Sequence, residues 1–363
     1  MGALEEWIAE MFLVHSLNLL RFSADVQGKI VALMGAMSKE LAAKLGEGEV
    51  STYGKQRMAA LLRESNAVIA SHYSGMEAEA MRNLLGMTRI EADYTAKVLT
   101  QGLKIELGAK LPPATYLEKL VGDTLIKGAS SANWWKRQAL DTQFRFASQV
   151  RLGAAQGETT SQIVARVVGT SAKAAGGDAE VMPGILKTSE ANARALVHSS
   201  VQAVANAARL ASFQRNSDLI ECLVWLATLD SHTCLLCAMR DLHEYSLHDQ
   251  EPINHTHEWA GGPGAIHFSC RCVLSTRTKS FKDLGIELDE PSGGTRPSDG
   301  GVASVKMNFK DFLASKDKAW RAEYLGPGRA EMYEAGKITL NDLMNLKGRK
   351  LTLEELQARY ASK

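Results

Sequence analysis

Four of the five cysteines in this 363-residue chain fall into two tight pairs, Cys234-x2-Cys237 and Cys270-x-Cys272, and His267 stands three residues ahead of Cys270. Zinc favours four soft donors in a tetrahedron, and a C-x2-C turn is the spacing that offers two sulfurs to one ion. The rear half can supply His267 with Cys270, His267 with Cys272, or both thiols. The intervening residues 238–269 hold His243, His248, His255 and His257 but no long apolar run. A metal clip closing such a loop would contribute folding free energy on the order of 10 kcal/mol. A structural zinc is the leading reading. Disulfides joining the halves, thiols buried as small hydrophobes and a catalytic metal stay open as alternatives. Cys222, inside an apolar run, reads as core.

A catalytic zinc keeps one ligand position open and needs a carboxylate base nearby. Glu251 and Glu258 are the candidates, and with them the alternative of a metal-dependent hydrolase or nuclease. Neither H-E-x-x-H nor an H-x-E paired with C-x2-C occurs, and His255 and His257, two apart, would face away from each other on a helix. No catalytic residue is assigned. Residues 221–272 carry seven acidic and two basic side chains, a local field that repels a phosphate backbone and weakens a nucleic-acid zinc finger reading. AGGPG and PSGGTRPSDGG lack the strand-then-helix G-x-G-x-x-G context and the GK[ST] of a phosphate loop, so they read as turns.

The elements that must hold these residues are mostly helical. Val26, Ile30, Leu33, Met34, Met37, Leu41 and Leu45 form one stripe ended by the glycines of GEGE. A second stripe covers 54–76 and a third 91–107, the latter stopped at Leu111-Pro112-Pro113. The opening residues 1–20 have acidic side chains where a secretory signal has basic ones, and read as an amphipathic helix. Helices are expected again from Trp134 and Trp135 to about Gly153, from Glu158, and over 186–214; one tryptophan of the doublet should pack inside and the other cover a neighbouring surface. No alternating strand is legible before residue 215, so that half is expected to be all helical. ECLVWLATLD, at 221–230, fits strand or helix equally. Thr352 and Glu355 have capping-box spacing.

The expected architecture is therefore mainly α. It comprises a helical N-terminal region (1–110), a further helical part (111–220), a small α+β module stapled by zinc or cysteines (221–280), a flexible linker (281–304) and a helical C-terminal docking region (305–363). A hydrophobic content of 45%, a charged content of 23% and a net charge of +1 fit a globular chain and not a dedicated nucleic-acid binder. No apolar run reaches membrane-spanning length.

Trp225, Asp230, Thr233, Cys234 and Cys237, followed by Pro263, His267, Cys270, Arg271 and Cys272, resemble the hallmark of the phage head morphogenesis family, the minor head proteins similar to Mu protein F. The segments RLGAAQGETTSQIVARV and KTSEANARALV upstream, and the ending from FLASKDKAW onward, resemble the same family. The likeness covers about 140–272 and 305–363 and is weak over the first 110 residues. Where the family has Asp-Gly after the second cysteine, this chain has Asp241-Leu242. The resemblance implies a structural virion component without chemical turnover. It would sit inside the head near the portal, in the host cytoplasm during assembly. Its partners would be the portal protein, with scaffold, major capsid protein and DNA as further contacts. It also implies that Arg271 clamps Asp230 and so ties the two halves together.

Overall fold

A computed structural model describes residues 2–104, 108–169, 183–285, 294–345 and 349–360. Two long helices dominate, α1 (Ala3–Leu45) and α2 (Lys55–Gly102). They run antiparallel, as cross-links from Lys44 to Glu64 and from Lys29 to Asn83 show, both 3.2 Å. The opening segment and the first stripe are one helix, and the stripe expected at 54–76 is joined in α2 to the one expected at 91–107, which is helical only to Gly102, with 105–107 outside the described residues. Ala80, Leu84 and Met87 continue the buried row between them, so nothing breaks the helical period. Gly102 lets the helices close, since a Cβ there would stand 3.0 Å from the Trp7 ring.

Downstream lie α3 (Ala114–Asp123), a hairpin of β1 (Leu125–Ile126) and β2 (Ala129–Ser130), then α4 (Ser131–Ala155), α5 (Thr160–Val168) and α6 (Ile185–Arg215). The hairpin corrects the expectation of an all-helical first half. Its Lys127 and Gly128 have φ of 49° and 83°, the pair of positive values that a two-residue hairpin loop demands. Trp135 is buried in the bundle, while Trp134 donates from Nε1 to the Ile126 carbonyl at 2.8 Å and meets Phe268 edge-on. The stretch TSAKAAGGDAEVMPG at 170–184, whose small residues and turn formers mark it as a connection, lies, but for its last two residues, outside the described residues.

α6 carries the bundle onto the Cys/His module. Its Arg209 pairs with Glu91 of α2, both fully buried, His15 of α1 stands 2.7 Å from the same carboxylate, and Arg209 also donates to the Leu274 carbonyl at 3.1 Å. Asn206 brackets the neighbouring backbone, donating to Cys272 O at 3.1 Å and accepting from Leu274 N at 2.7 Å. The module is a four-stranded antiparallel sheet, in the order β5-β4-β3-β6, from β3 (Ile220–Leu226), β4 (Glu244–Tyr245), β5 (Pro252–Ile253) and β6 (Val273–Thr278), with a one-turn helix α7 (Leu235–Ala238). The ambiguous apolar run is a strand because it pairs with β6, Trp225 opposite Leu274, and is buried along nearly its whole length. Leu4, Ile8 and Phe12 at the tip of α1 belong to the same core as Leu223, Trp225 and Cys272. The first helix is thus shared between the bundle and the module.

The segment expected to be a core-less linker is corrected where it is described. β7 (Thr295–Ser298) and β8 (Gly301–Ser304) form a hairpin, and Arg296 is buried on Asp241, with both guanidinium bonds at 3.0 Å. Residues 286–293 lie outside the described residues. A third core joins Leu229, Leu235 and Met239 to the C-terminal helices α8 (Phe309–Ser315), α9 (Lys318–Leu325), α10 (Pro327–Glu334) and α11 (Leu353–Tyr360). The Thr352–Glu355 capping box is formed reciprocally at 2.8 and 3.2 Å. The molecule is mainly helical with a small Cys/His-bearing module. No helix among the described residues is long and apolar enough to cross a membrane.

Candidate metal centre

Cys234 is the N-cap of α7 and Cys237 lies within its single turn, where Cys237 N and Ala238 N both donate to Cys234 O at 3.1 and 2.9 Å. That turn points both sulfurs the same way. The rear half arrives through a loop fixed to α6 by Ser269 N donating to Ser199 Oγ at 2.9 Å, with Ser269 at φ 60°. The two halves converge. His267 Nε2 stands 3.1 Å from both Cys234 Sγ and Cys237 Sγ, and Cys237 Sγ is 3.7 Å from Cys270 Sγ. Two triads of donors result, Cys234/Cys237/His267 and Cys237/Cys270/Cys272, with Cys237 common to both, and all five cysteines of the chain are free thiols. Both members of Cys270-x-Cys272 reach Cys237, as residues two apart in extended chain can, because they share a face.

Orientation and charge both suit a cation. His267 Nδ1 bonds to the Phe268 carbonyl at 2.7 Å, and because a carbonyl only accepts, Nδ1 carries hydrogen and Nε2 faces the thiols. Hydrogen bonding from Cys237 and His267, against the opposing effect of burial, pulls the Cys234 thiol down to about 5. Cys270 is likewise held well below the usual thiol range, first by Cys237. Burial disfavours charge on His267, yet Cys234 and Cys270 outweigh it and push the imidazole up to about 11. A site with two thiolate-prone sulfurs that draws positive charge onto Nε2 can hold a metal ion.

Asp230 organises the turn that leads into Cys234. Its Oδ1 accepts from His232 N at 3.0 Å and from Thr233 Oγ1 at 3.3 Å, while Thr233 Oγ1 also donates to Thr228 O at 2.6 Å. Arg271, from between the rear cysteines, grips both Asp230 oxygens at 2.6 and 2.7 Å. Burial raises the Asp230 carboxyl, but this guanidinium prevails and holds it below the ordinary range. Trp225 is buried behind the cluster, edge-on to Trp259 at 5.7 Å. Leu242, standing where a glycine was expected, adopts φ 61°, and its N–H donates to Trp225 O at 2.8 Å. The turn keeps its left-handed residue without the glycine.

Glu251 and Glu258, the candidate bases, are exposed and belong to neither donor triad. His243, His255 and His257 were not expected to act together, but their rings stack, His243 lying 4.2 and 5.0 Å from the other two. Burial, then the two neighbouring imidazoles, pushes His243 down to about 3. His255 donates from Nε2 to Glu244 O at 2.8 Å and accepts at Nδ1 from His257 N at 3.2 Å. The signal for this stack was the two-residue spacing: in extended chain, unlike a helix, residues two apart share a face. Asp241 and Arg296, a fully buried pair beneath the module, were also missed, since nothing local links residues 55 apart. Comparison with protein-family models, curated proteins and solved structures finds no match to this chain.

Proposed function

We propose that this chain is a structural assembly protein of the minor head protein kind from a tailed bacteriophage, its 221–280 module stapled by one zinc ion. The ligands are Cys234, Cys237, His267 and Cys270, with Cys272 packed behind as a buried thiol. The observation that carries the reading is the convergence of the front and rear halves: the donors meet, and Arg271 locks onto Asp230 beside them. These are the residues on which the likeness to the head morphogenesis family rests. The donor set fits zinc. Tetrahedral Zn–S bonds of about 2.3 Å place two sulfurs about 3.8 Å apart, and the Cys237–Cys270 separation is 3.7 Å. Bound there, zinc would supply cross-linking free energy to a loop-rich segment.

Four protein donors fill a structural tetrahedron, whereas catalysis needs a free position and a base. A pocket of about 580 Å³ beside Cys234 is lined by Glu323 and Tyr324, and neither Glu251 nor Glu258 is in its wall. The long helices of the N-terminal region and the C-terminal helices offer docking faces for a portal ring, and scaffold, major capsid protein and DNA are secondary contacts in this reading. Purification of the chain with the portal protein of its own phage tests it. A stable complex is expected, without hydrolysis of DNA or peptide. Failure to associate, or a hydrolytic activity abolished by Glu251→Gln, Glu258→Gln or Glu323→Gln, would overturn it.

A further inference from the structure

A second site lies beside the Asp230–Arg271 clamp, in a cavity of about 360 Å³ where α1, α6, the loop after β3 and the end of β7 meet. Its one wall is aliphatic, from Leu13, Leu17 and Leu20. Gln202 of α6 lines it as well; this residue is 1% exposed, and neither its Nε2 nor its Oε1 has a partner among the described residues. A buried amide left without hydrogen bonds costs about 1–3 kcal/mol per group. Its backbone cannot readily shift to find one. Gly264, at φ 83°, rests so closely on it that a Cβ would stand 2.7 Å from the Gln202 carbonyl carbon, and Gln202 O is already bonded to Asn206 Nδ2 at 2.9 Å.

The charges around this cavity are already matched. Asp230 is paired with Arg271, and Asp299 accepts from Lys316 at 2.5 Å and from Trp320 Nε1 at 2.9 Å. A phosphate or carboxylate ligand would find its cation taken, and a cationic ligand its carboxylates taken. The lining includes no Phe, Tyr or Trp on which a nucleobase could stack. What is left to recognise is an uncharged donor–acceptor edge beside an aliphatic surface. Leu17, 43% exposed, opens that surface to solvent.

We propose that this cavity binds an extended peptide segment of a partner protein, one residue of which pairs its backbone N–H and C=O with the Gln202 side chain while an aliphatic side chain lies on Leu13, Leu17 and Leu20. A single trans peptide group points its carbonyl and N–H in opposite directions, but the N–H and C=O of one extended residue share an edge, the complement of a primary amide. The volume falls within the range of small-ligand sites, roughly 300–1,000 Å³. The site requires neither the metal nor the assembly reading, so its test can fail without touching either.

The experiment uses the full chain, labelled at leucine methyls and glutamine side-chain amides, titrated at millimolar concentration with acetyl-leucine methylamide, acetyl-leucine methyl ester and uridine. Saturable shifts of the Leu13, Leu17 and Leu20 methyls and of the Gln202 amide are expected with the methylamide. The ester keeps the leucine N–H but offers a weaker carbonyl acceptor on the same edge, and should bind more weakly. Gln202→Leu should weaken methylamide binding roughly tenfold, equivalent to about 1.4 kcal/mol, and Leu17→Ser, at an exposed position that leaves folding intact, should weaken it too. The proposal is overturned if no saturable shift develops, if ester and methylamide bind alike, or if Gln202→Leu binds as the parent does. It is equally overturned if uridine alone binds.

Discussion

Cys237 is the most informative single residue, because it belongs to both donor triads. Cys237→Ser should abolish stoichiometric zinc in elemental analysis of the native protein and remove hydrogen-exchange protection from 221–280, leaving α1, α2 and α6 protected. Cys272→Ser should retain zinc. Loss of metal from the Cys272 variant with retention in the Cys270 variant would reassign the fourth ligand. Arg271 acts beside the Cys/His cluster: its two bonds to Asp230 hold together loops 41 residues apart. Hydrogen bonds to charged groups contribute about 1.5–3 kcal/mol, so Arg271→Ala should lower unfolding stability by about 2 kcal/mol in denaturant titrations. Arg271→Lys should recover little, since an ammonium cannot reproduce the planar fork.

At the scale of elements, the turn after α7 and the β7–β8 hairpin each hold a local conflict that tertiary contacts settle. Leu242 sits at φ 61°, where a Cβ is unfavourable by roughly 1–2 kcal/mol. At an ordinary position glycine is less stable than alanine; here the order should invert. Leu242→Gly should exceed Leu242→Ala in unfolding free energy by about 1 kcal/mol, and the ordinary order would show that the strain is absent. Arg296 and Asp241 are both fully buried. Removing one partner of such a pair costs roughly 3–5 kcal/mol. Asp241→Leu alone should therefore destabilise strongly, and adding Arg296→Met should recover much of the loss, with the double-substitution cycle as the measurement. A flexible linker at 294–304 would give no such coupling. Composition suggested a linker there because Gly, Ser and Pro dominate it, and the fully buried residue that anchors it is a charged arginine whose partner lies far back in the chain.

Across the whole molecule, acid should act on the histidine stack as well as on the Cys/His cluster. His243 has its pKa pushed down from 6.5 to about 3 in the fold. Between those values the unfolded chain binds a proton that the folded chain does not, so this stabilising contribution is full above the unfolded value and is lost as pH falls toward the folded one. Each such group gives a slope of at most about 1.4 kcal/mol per pH unit. His243→Leu should flatten the pH dependence of unfolding between about 6 and 4 relative to the parent; an unchanged slope would place the acid sensitivity elsewhere. By itself the sequence determined the helices, because a 3.6-residue apolar period is written in neighbouring residues, and it determined the donor set, because C-x2-C and H-x2-C-x-C are local spacings. Only the tertiary structure decided that 220–226 is a strand, that the tip of α1 joins the module's core, that Arg296 closes on Asp241, and that three histidines stack. Each of those depends on a partner brought close by the fold, and burial or pairing with a distant segment leaves no period in the residues around it.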